Sequence, residues 1–204
     1  VIEQPTGRRE QNKLDTRRAI AEAALNLART HGMGAVTADQ IAEEAKVSRR
    51  TFFNYFHSAE DALTVSTESF LEHAVNEFAA RPSDEPLLDA IIAALAATAQ
   101  VENLNDCGDL FRLADGNPDL LSTQLLAWER AEARIVRAVE ERLGGSATNL
   151  YILALVGSVL SCAKAAMREW SSANPVQGSA ADLENHIVNA LSMLRDGFAQ
   201  STTT

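Results

Sequence analysis

A chain of 204 residues with 46% apolar side chains is long enough to bury a sizeable core. Its net charge of −10 argues against a protein that coats nucleic acid through bulk charge. The first 60 residues are the exception: they carry nine Lys/Arg against eight Asp/Glu, while the rest carries nine against twenty, so a polyanion is expected to meet this near-neutral head.

Residues 1–12 are polar and aperiodic and, with Arg8, Arg9 and Lys13, read as a mobile arm. From Arg17 to His31 the residues Ile20, Ala23, Ala24, Leu27 and Ala28 recur at helical spacing, and "HGMGAVT" ends that helix. Thr37 with Gln40 forms a capping box opening a short helix, Ala38 to Ala45. Ser48 caps an aromatic segment only two residues later, and Ser58 with Asp61 opens a long helix over Ala59 to Ala80. After the breaker "RPSDEP", further helices are expected at Leu87–Gln100, Asp106–Ala114, Pro118–Leu143, Asn149–Ser172 and Ala180–Ala199. No stretch alternates with period two, so the chain reads as all-α with about nine helices. Residues 1–58 read as an arm and a small three-helix head, and residues 59–204 as a larger helical body.

Enzyme signatures are missing. His31, His57, His73 and His186 are scattered, and no nucleophile elbow, phosphate loop or paired metal motif occurs, so neither catalysis nor a metal or cofactor is expected. Cys107 and Cys162 read as reduced, buried thiols, with redox sensing as the sharper alternative. The most apolar run, "LYILALVGSVLSCA", stops at Lys164, short of the roughly 20 residues of a membrane span, and no secretory signal is visible; the expectation is a cytoplasmic protein without a membrane partner.

The segment "VSRRTFFNYFHS", Val47 to Ser58, joins two arginines to four aromatic rings. On a helix starting at Ser48, Phe52 and Phe56 share one face with Tyr55 on its flank. Arg50, Phe53, Asn54 and His57 follow i, i+3, i+4, i+7 on the opposite face, with Arg49 at its N-terminal edge. The first face locks the helix down. The second carries a fork for guanine, an amide for adenine and a ring for the thymine methyl. Ala42 supplies the small residue needed where two helices of a helix-turn-helix cross.

"TADQIAEEAKVSRRTFFNYFHSAEDAL", Thr37 to Leu63, resembles the DNA-binding signature of the TetR family of transcriptional regulators. That resemblance implies that Thr37 binds a phosphate, that Ser48, Arg49, Arg50 and Thr51 enter the groove, that Asn54 contacts base or backbone, and that Tyr55 reaches a phosphate. Three positions depart from the family pattern. Lys46 stands where Gly is usual and costs about 1 kcal/mol if the turn needs positive φ, offset in part by a nearby phosphate. Phe53 replaces a common Tyr, and Ala59 replaces a Lys, for which the extra Arg50 compensates.

The same resemblance implies a homodimer built on the last two helices and an effector pocket among the middle ones. Small or apolar residues suit Leu155, Gly157, Ser158, Ser161, Leu183, Ile187, Leu191 and Leu194 to the dimer seam, with Val188 and Phe198 extending the stripe. Phe70, Phe78, Phe111, Leu113, Leu125, Trp128 and Met167 are the candidate pocket residues, and His73, Asn103, Asn105 and Arg112 the polar groups available to orient a ligand. The function implied is a repressor released from a palindromic double-stranded DNA operator by a small hydrophobic effector. The alternatives are a ligand-independent or redox-sensing DNA-binding regulator.

Overall fold

The computed structural model describes residues 5–100, 104–173 and 178–197; Asn103 and Phe198 lie outside them. Among the described residues every regular element is helical: α1 (Pro5–His31), α2 (Ala38–Glu44), α3 (Arg49–Phe53), α4 (Ala59–Leu63), α5 (Val65–Ala80), α6 (Leu87–Ala97), α7 (Leu104–Ala114), α8 (Pro118–Leu143), α9 (Asn149–Ala173) and α10 (Ala180–Arg195). These fall into two compact units, Val1–Ser66 with Leu113–Gln124, and Thr67–Arg112 with the chain from Leu125 onward.

Several helix ends shift by a few residues, with α6 ending at Ala97, α7 starting at Leu104 and α10 ending at Arg195, and two further differences from the sequence expectation alter the architecture. The arm is helical from Pro5, as a continuation of α1. Its residues are polar all round, so apolar periodicity is silent there, but a side-chain link within the helix supports it: Gln11 Nε2 donates to Asp15 Oδ1 at 2.9 Å. Extending a helix already nucleated downstream costs little. The second difference raises the count from nine helices to ten. The helix expected over Ala59–Ala80 breaks at Thr64, whose backbone N–H and hydroxyl both donate to the Asp61 carbonyl, at 3.2 and 2.8 Å, which tightens the turn and separates α4 from α5.

In the first unit α1 packs against α2 and α4, and α2 against α3. Ile20, Ala24, Ile41, Phe52, Phe56 and Leu63 are essentially inaccessible to solvent. Burying each large side chain contributes about 1.5–3 kcal/mol.

In the second unit α9 is the central helix, packed along α10, which also lies on α6. At 25 residues α9 is longer than its apolar run suggested, and by length and composition alone it is long enough to cross a membrane. Here it carries core: Ile152, Val156, Leu160, Met167 and Trp170 are buried on it. The Trp170 ring sits against two glycines: a Cβ on Gly108 of α7 would stand 2.7 Å from the ring, and one on Gly178 only 2.4 Å. Its Nε1–H donates to the Ser179 carbonyl at 3.2 Å. Around it, Asn105 Oδ1 accepts the Gly178 N–H at 3.1 Å and Arg112 donates to the Ser171 carbonyl at 3.1 Å, so both polar candidates bind backbone in this fold.

Glycine in a helix interior ordinarily costs about 1 kcal/mol relative to alanine. At Gly108 that sign reverses. Gly108→Ala is expected to lower stability by about 1–3 kcal/mol, the usual cost of overpacking a rigid core, read as a fall in the urea midpoint at unchanged m.

Candidate nucleic-acid interface

Three hydroxyl caps set the local geometry of the head. Thr37 Oγ1 accepts from the Gln40 N–H at 3.3 Å, Ser48 Oγ from the Thr51 N–H at 3.0 Å, and Ser58 Oγ from the Asp61 N–H at 3.1 Å. Gln40 reaches back to the Thr37 hydroxyl, which donates to its Oε1 at 2.8 Å; the Thr37 N–H goes to the Ala35 carbonyl instead. Asp61 also reaches back, accepting the His57 N–H at 3.1 Å.

The turn between α2 and α3 is a Schellman motif. Val47 N–H donates to the Ala42 carbonyl at 2.9 Å and Lys46 N–H to the Glu43 carbonyl at 3.1 Å. This geometry puts the intervening residue in the left-handed region, and Lys46 has φ of 55°, the one positive φ at a non-glycine among the described residues. The expected strain at Lys46 is therefore present.

Helix α3 has only five residues. Phe52 is fully buried and Phe56 nearly so, with their ring centroids 5.9 Å apart, and the Arg17 guanidinium of α1 lies 5.3 Å from the Phe56 centroid. On the other side Arg49, Arg50, Phe53 and Asn54 are exposed, and Thr51 and Tyr55 are half-buried. Phe53 stands edge-on to Phe52 at 5.2 Å. His57 is exposed but lies past the end of α3, so the helical spacing that grouped it with Arg50, Phe53 and Asn54 does not extend to it.

One contribution escaped the sequence reading. With α1 helical from Pro5, Arg9, Asn12 and Lys13 line an open groove together with Thr51, Asn54 and Tyr55, although Glu10 shares its wall. The polar i, i+4 link between Gln11 and Asp15 was the available signal.

In the second unit a cavity of ≈ 40 Å³ has an entirely apolar wall drawn from α5, α6, α8 and α9, including Leu71, Phe78, Ile91, Ala94, Val139 and Leu160. Of the candidate pocket residues only Phe78 lines it. Phe70 and Met167 are packed into the core, and Phe111 meets Trp128 edge-on at 6.2 Å, with Lys164 over the Trp128 ring. Leu125 is 52% exposed on α8 and is not part of this cavity's wall. At Phe78 the guanidinium of Arg142 lies 5.1 Å from the ring centroid and donates to the carbonyls of Pro82 and Glu85, fastening the α5–α6 connection.

The seam residues divide. Leu183, Ile187 and Leu191 are fully buried in the chain's own core, because α10 turns that stripe onto α9 and α6. Leu155, Gly157, Ser158 and Leu194 are half-buried and Ser161 is exposed. The uncovered side of α9 runs through Leu150, Ala154, Gly157, Ser161 and Ala165, and the Ser158 and Ser161 hydroxyls are turned back onto carbonyls of their own helix.

Comparison with known proteins agrees with this geometry. A family model described as bacterial regulatory proteins, tetR family, matches residues 20–63, and one described as the MftR C-terminal domain matches residues 85–199. The HTH-type transcriptional regulator TcmR of Streptomyces glaucescens is 29% identical over 146 residues, which cover 68% of this chain and 65% of that protein, so the match spans just under two thirds of the relative. Among solved structures, a TetR-family transcriptional regulator from Syntrophomonas wolfei superposes with a TM-score of 0.68 at 18% identity, over 93% of this chain and all of the other. Thermus thermophilus FadR, a TetR-family repressor in complex with lauroyl-CoA, superposes at 0.57 with 22% identity, over 92% and 98%. At such identities the likeness is one of fold.

Replacing Lys46 by glycine removes the strain of the left-handed turn. Lys46→Gly is expected to raise stability by about 1 kcal/mol in denaturant titration, since only glycine occupies that φ freely. A midpoint that falls instead would mean the lysine side chain contributes packing the turn depends on.

Proposed function

This chain belongs to the TetR family of bacterial regulatory proteins, and on that premise we propose that it is a dimeric repressor that reads an operator with α3 and releases it on binding an apolar effector. The observation that carries the reading is the two-sidedness of α3 and the turn that follows it: Phe52 and Phe56 are sunk in the head while Arg49, Arg50, Phe53 and Asn54 face outward. A side chain reads a base pair only if its helix is held at fixed depth in the groove, and buried aromatic anchors supply that constraint. Arg50 is assigned to guanine or phosphate, Asn54 to adenine or backbone, and Phe53 to a thymine methyl. Lys46, Thr37, Ser48, Thr51 and Tyr55 are assigned to backbone contacts, and Arg9 and Lys13 of α1 extend the cationic rim.

Dimerisation is assigned to the uncovered face of α9, where Gly157, Ser161 and Ala165 let a second helix approach closely, and to the half-buried Leu155 and Leu194 beside it. Two-fold symmetry then presents two copies of α3 about one DNA turn apart, roughly 34–36 Å, and requires a palindromic operator.

The effector is assigned to the apolar cavity. At ≈ 40 Å³ it is far below the roughly 300–1,000 Å³ of an occupied small-molecule site, so a ligand must widen it and bind a conformation different from this one. That a fold relative was solved with lauroyl-CoA supports an apolar ligand portion. Helix α5 walls the cavity and joins α4 at Thr64, which gives ligand entry a mechanical route into the head. Coupling energies of this kind are typically about 1–3 kcal/mol. Redox control has less support: burial pushes the Cys107 thiol up to about 12 and raises Cys162 as well, so neither is a ready thiolate near neutral pH.

Selection of duplexes from a random pool at physiological salt is expected to yield a palindrome, and Arg50→Ala to bind that sequence about 1–3 kcal/mol more weakly. Recovery of no consensus refutes the operator reading, and unchanged affinity refutes the role of Arg50. For the cavity, wild type is expected to brighten the neutral apolar dye N-phenyl-1-naphthylamine. Ala94→Leu, which fills part of the void, is expected to lose most of that signal while binding operator as before.

A further inference from the structure

The two adjacent arginines that open α3 are held differently. Arg49 Nη1 donates to Asp39 Oδ2 at 3.0 Å, a contact from the first turn of α2 across ten residues of sequence. Its guanidinium carbon lies 5.6 Å from the centroid of the exposed Phe53 ring, and Phe53 stands edge-on against the buried Phe52. A continuous series of contacts therefore runs from the head's core through Phe52 and Phe53 to Arg49 and ends on Asp39. Arg50 is exposed, and its side chain has no hydrogen bond or ion pair to another described residue.

Stability does not account for the Asp39–Arg49 pair. Both side chains are about two-thirds exposed, at 66% and 64%, where screening by water and salt leaves an ion pair little net effect. A carboxylate beside a DNA-reading helix also repels phosphates. Its effect must lie in what it does to Arg49. A guanidinium has five N–H donors in a rigid plane, and Asp39 takes one from a single nitrogen, leaving the others in a fixed orientation.

Resting on the DNA-binding reading above, we infer that Asp39 is a specificity-determining positioning residue: it cancels the charge of Arg49 toward phosphate and holds its remaining donors for one base pair. Arg50, untethered, is then the mobile cation of the pair. Removing Asp39 frees a cation that binds any phosphate, raising affinity for all DNA while relaxing the preference for one sequence. The aromatic stack keeps Arg49 over Phe53 but does not set which edge of the guanidinium faces outward.

The test measures dissociation constants against KCl concentration for the full chain on its selected operator and on a scrambled duplex of equal length. Proteins compared are wild type, Asp39→Ala, Asp39→Glu, Arg49→Ala and the double variant Asp39→Ala/Arg49→Ala. Asp39→Ala is expected to bind the scrambled duplex several-fold more tightly, with the log–log salt slope steeper by about one per head. Its operator-to-scrambled ratio is expected to fall about tenfold, the discrimination one base contact carries. Asp39→Glu, which keeps the carboxylate, is expected to retain most of the ratio. In the Arg49→Ala background removal of Asp39 should leave the ratio unchanged, because the side chain it positions is gone. A ratio and slope at wild-type values in Asp39→Ala overturn the inference while the DNA-binding reading stands, as does an equal shift in the Arg49→Ala background. Wild type binding operator and scrambled duplex alike overturns both.

Discussion

The head depends on the burial of two phenylalanine rings. A five-residue helix has no independent stability, because nucleation fixes several residues before hydrogen bonds repay the cost. Helix α3 exists because Phe52 and Phe56 are withdrawn from water and Ser48 satisfies an amide at its start. The exposed groups of α3 take their positions from that anchoring: Arg49, Arg50 and Asn54 are presented at a fixed height because the residues interleaved with them cannot leave the core. The strained Lys46 belongs to the same constraint. The Schellman turn must bring α3 back across α2 within a few residues, and the left-handed φ is the geometric consequence of closing it so tightly.

In the larger unit the corresponding constraint is the packing of α9. Its inward side carries Ile152, Met167 and Trp170, and its outward side carries the exposed Leu150, Tyr151 and Leu153 at the N-terminal end and the small residues Ala154, Gly157, Ser161 and Ala165 further along. Trp170 shows how closely the inward side is fitted, since two glycines are needed to admit one ring. The stretch of that outward side from Ala154 to Ala165 has little side-chain volume to hold another backbone away, and its serines spend their hydroxyls on their own helix.

Much of this was legible in the chain because the relevant signals are local. Caps at Thr37, Ser48 and Ser58 and the opposed faces of Val47–Ser58 depend on spacings of three and four residues. The misses arise where local spacing underdetermines the answer. Leu183, Ile187 and Leu191 form a stripe whether they meet α9 of the same chain or a second subunit, and only tertiary packing decides. Leu125 has the composition of a pocket residue but the wrong azimuth on α8. His57 was placed by extending a helical period past a helix that had already ended. The helical arm from Pro5 escaped because an all-polar helix has no hydrophobic period to detect. Thr64 escaped for a different reason: a hydroxyl bonded back to its own helix can either bend the helix or leave it continuous, and composition does not distinguish the two.

The cavity connects these observations. Its wall is apolar on every side, so it holds no fixed polar group to orient a ligand, and in this conformation it is too small for one. Space can be gained only by moving whole helices, since Leu71, Val139 and Leu160 occupy close-packed positions in the same core. Of the helices involved, α8 and the α5–α6 connection are tied together by Arg142, and α9 is fixed by Trp170. At the start of α5, Glu68 pairs with Arg130 of α8 at 3.8 Å, and just before it the helix is broken at Thr64. On the proposed reading, ligand entry is passed along α5 to Thr64, where the chain continues into α4, whose partner in the head is α1. On the proposed reading the small resting volume and the broken helix are complementary features: ligand entry has to displace a helix of the cavity wall, and α5 is the wall helix directly continuous with α4 across Thr64.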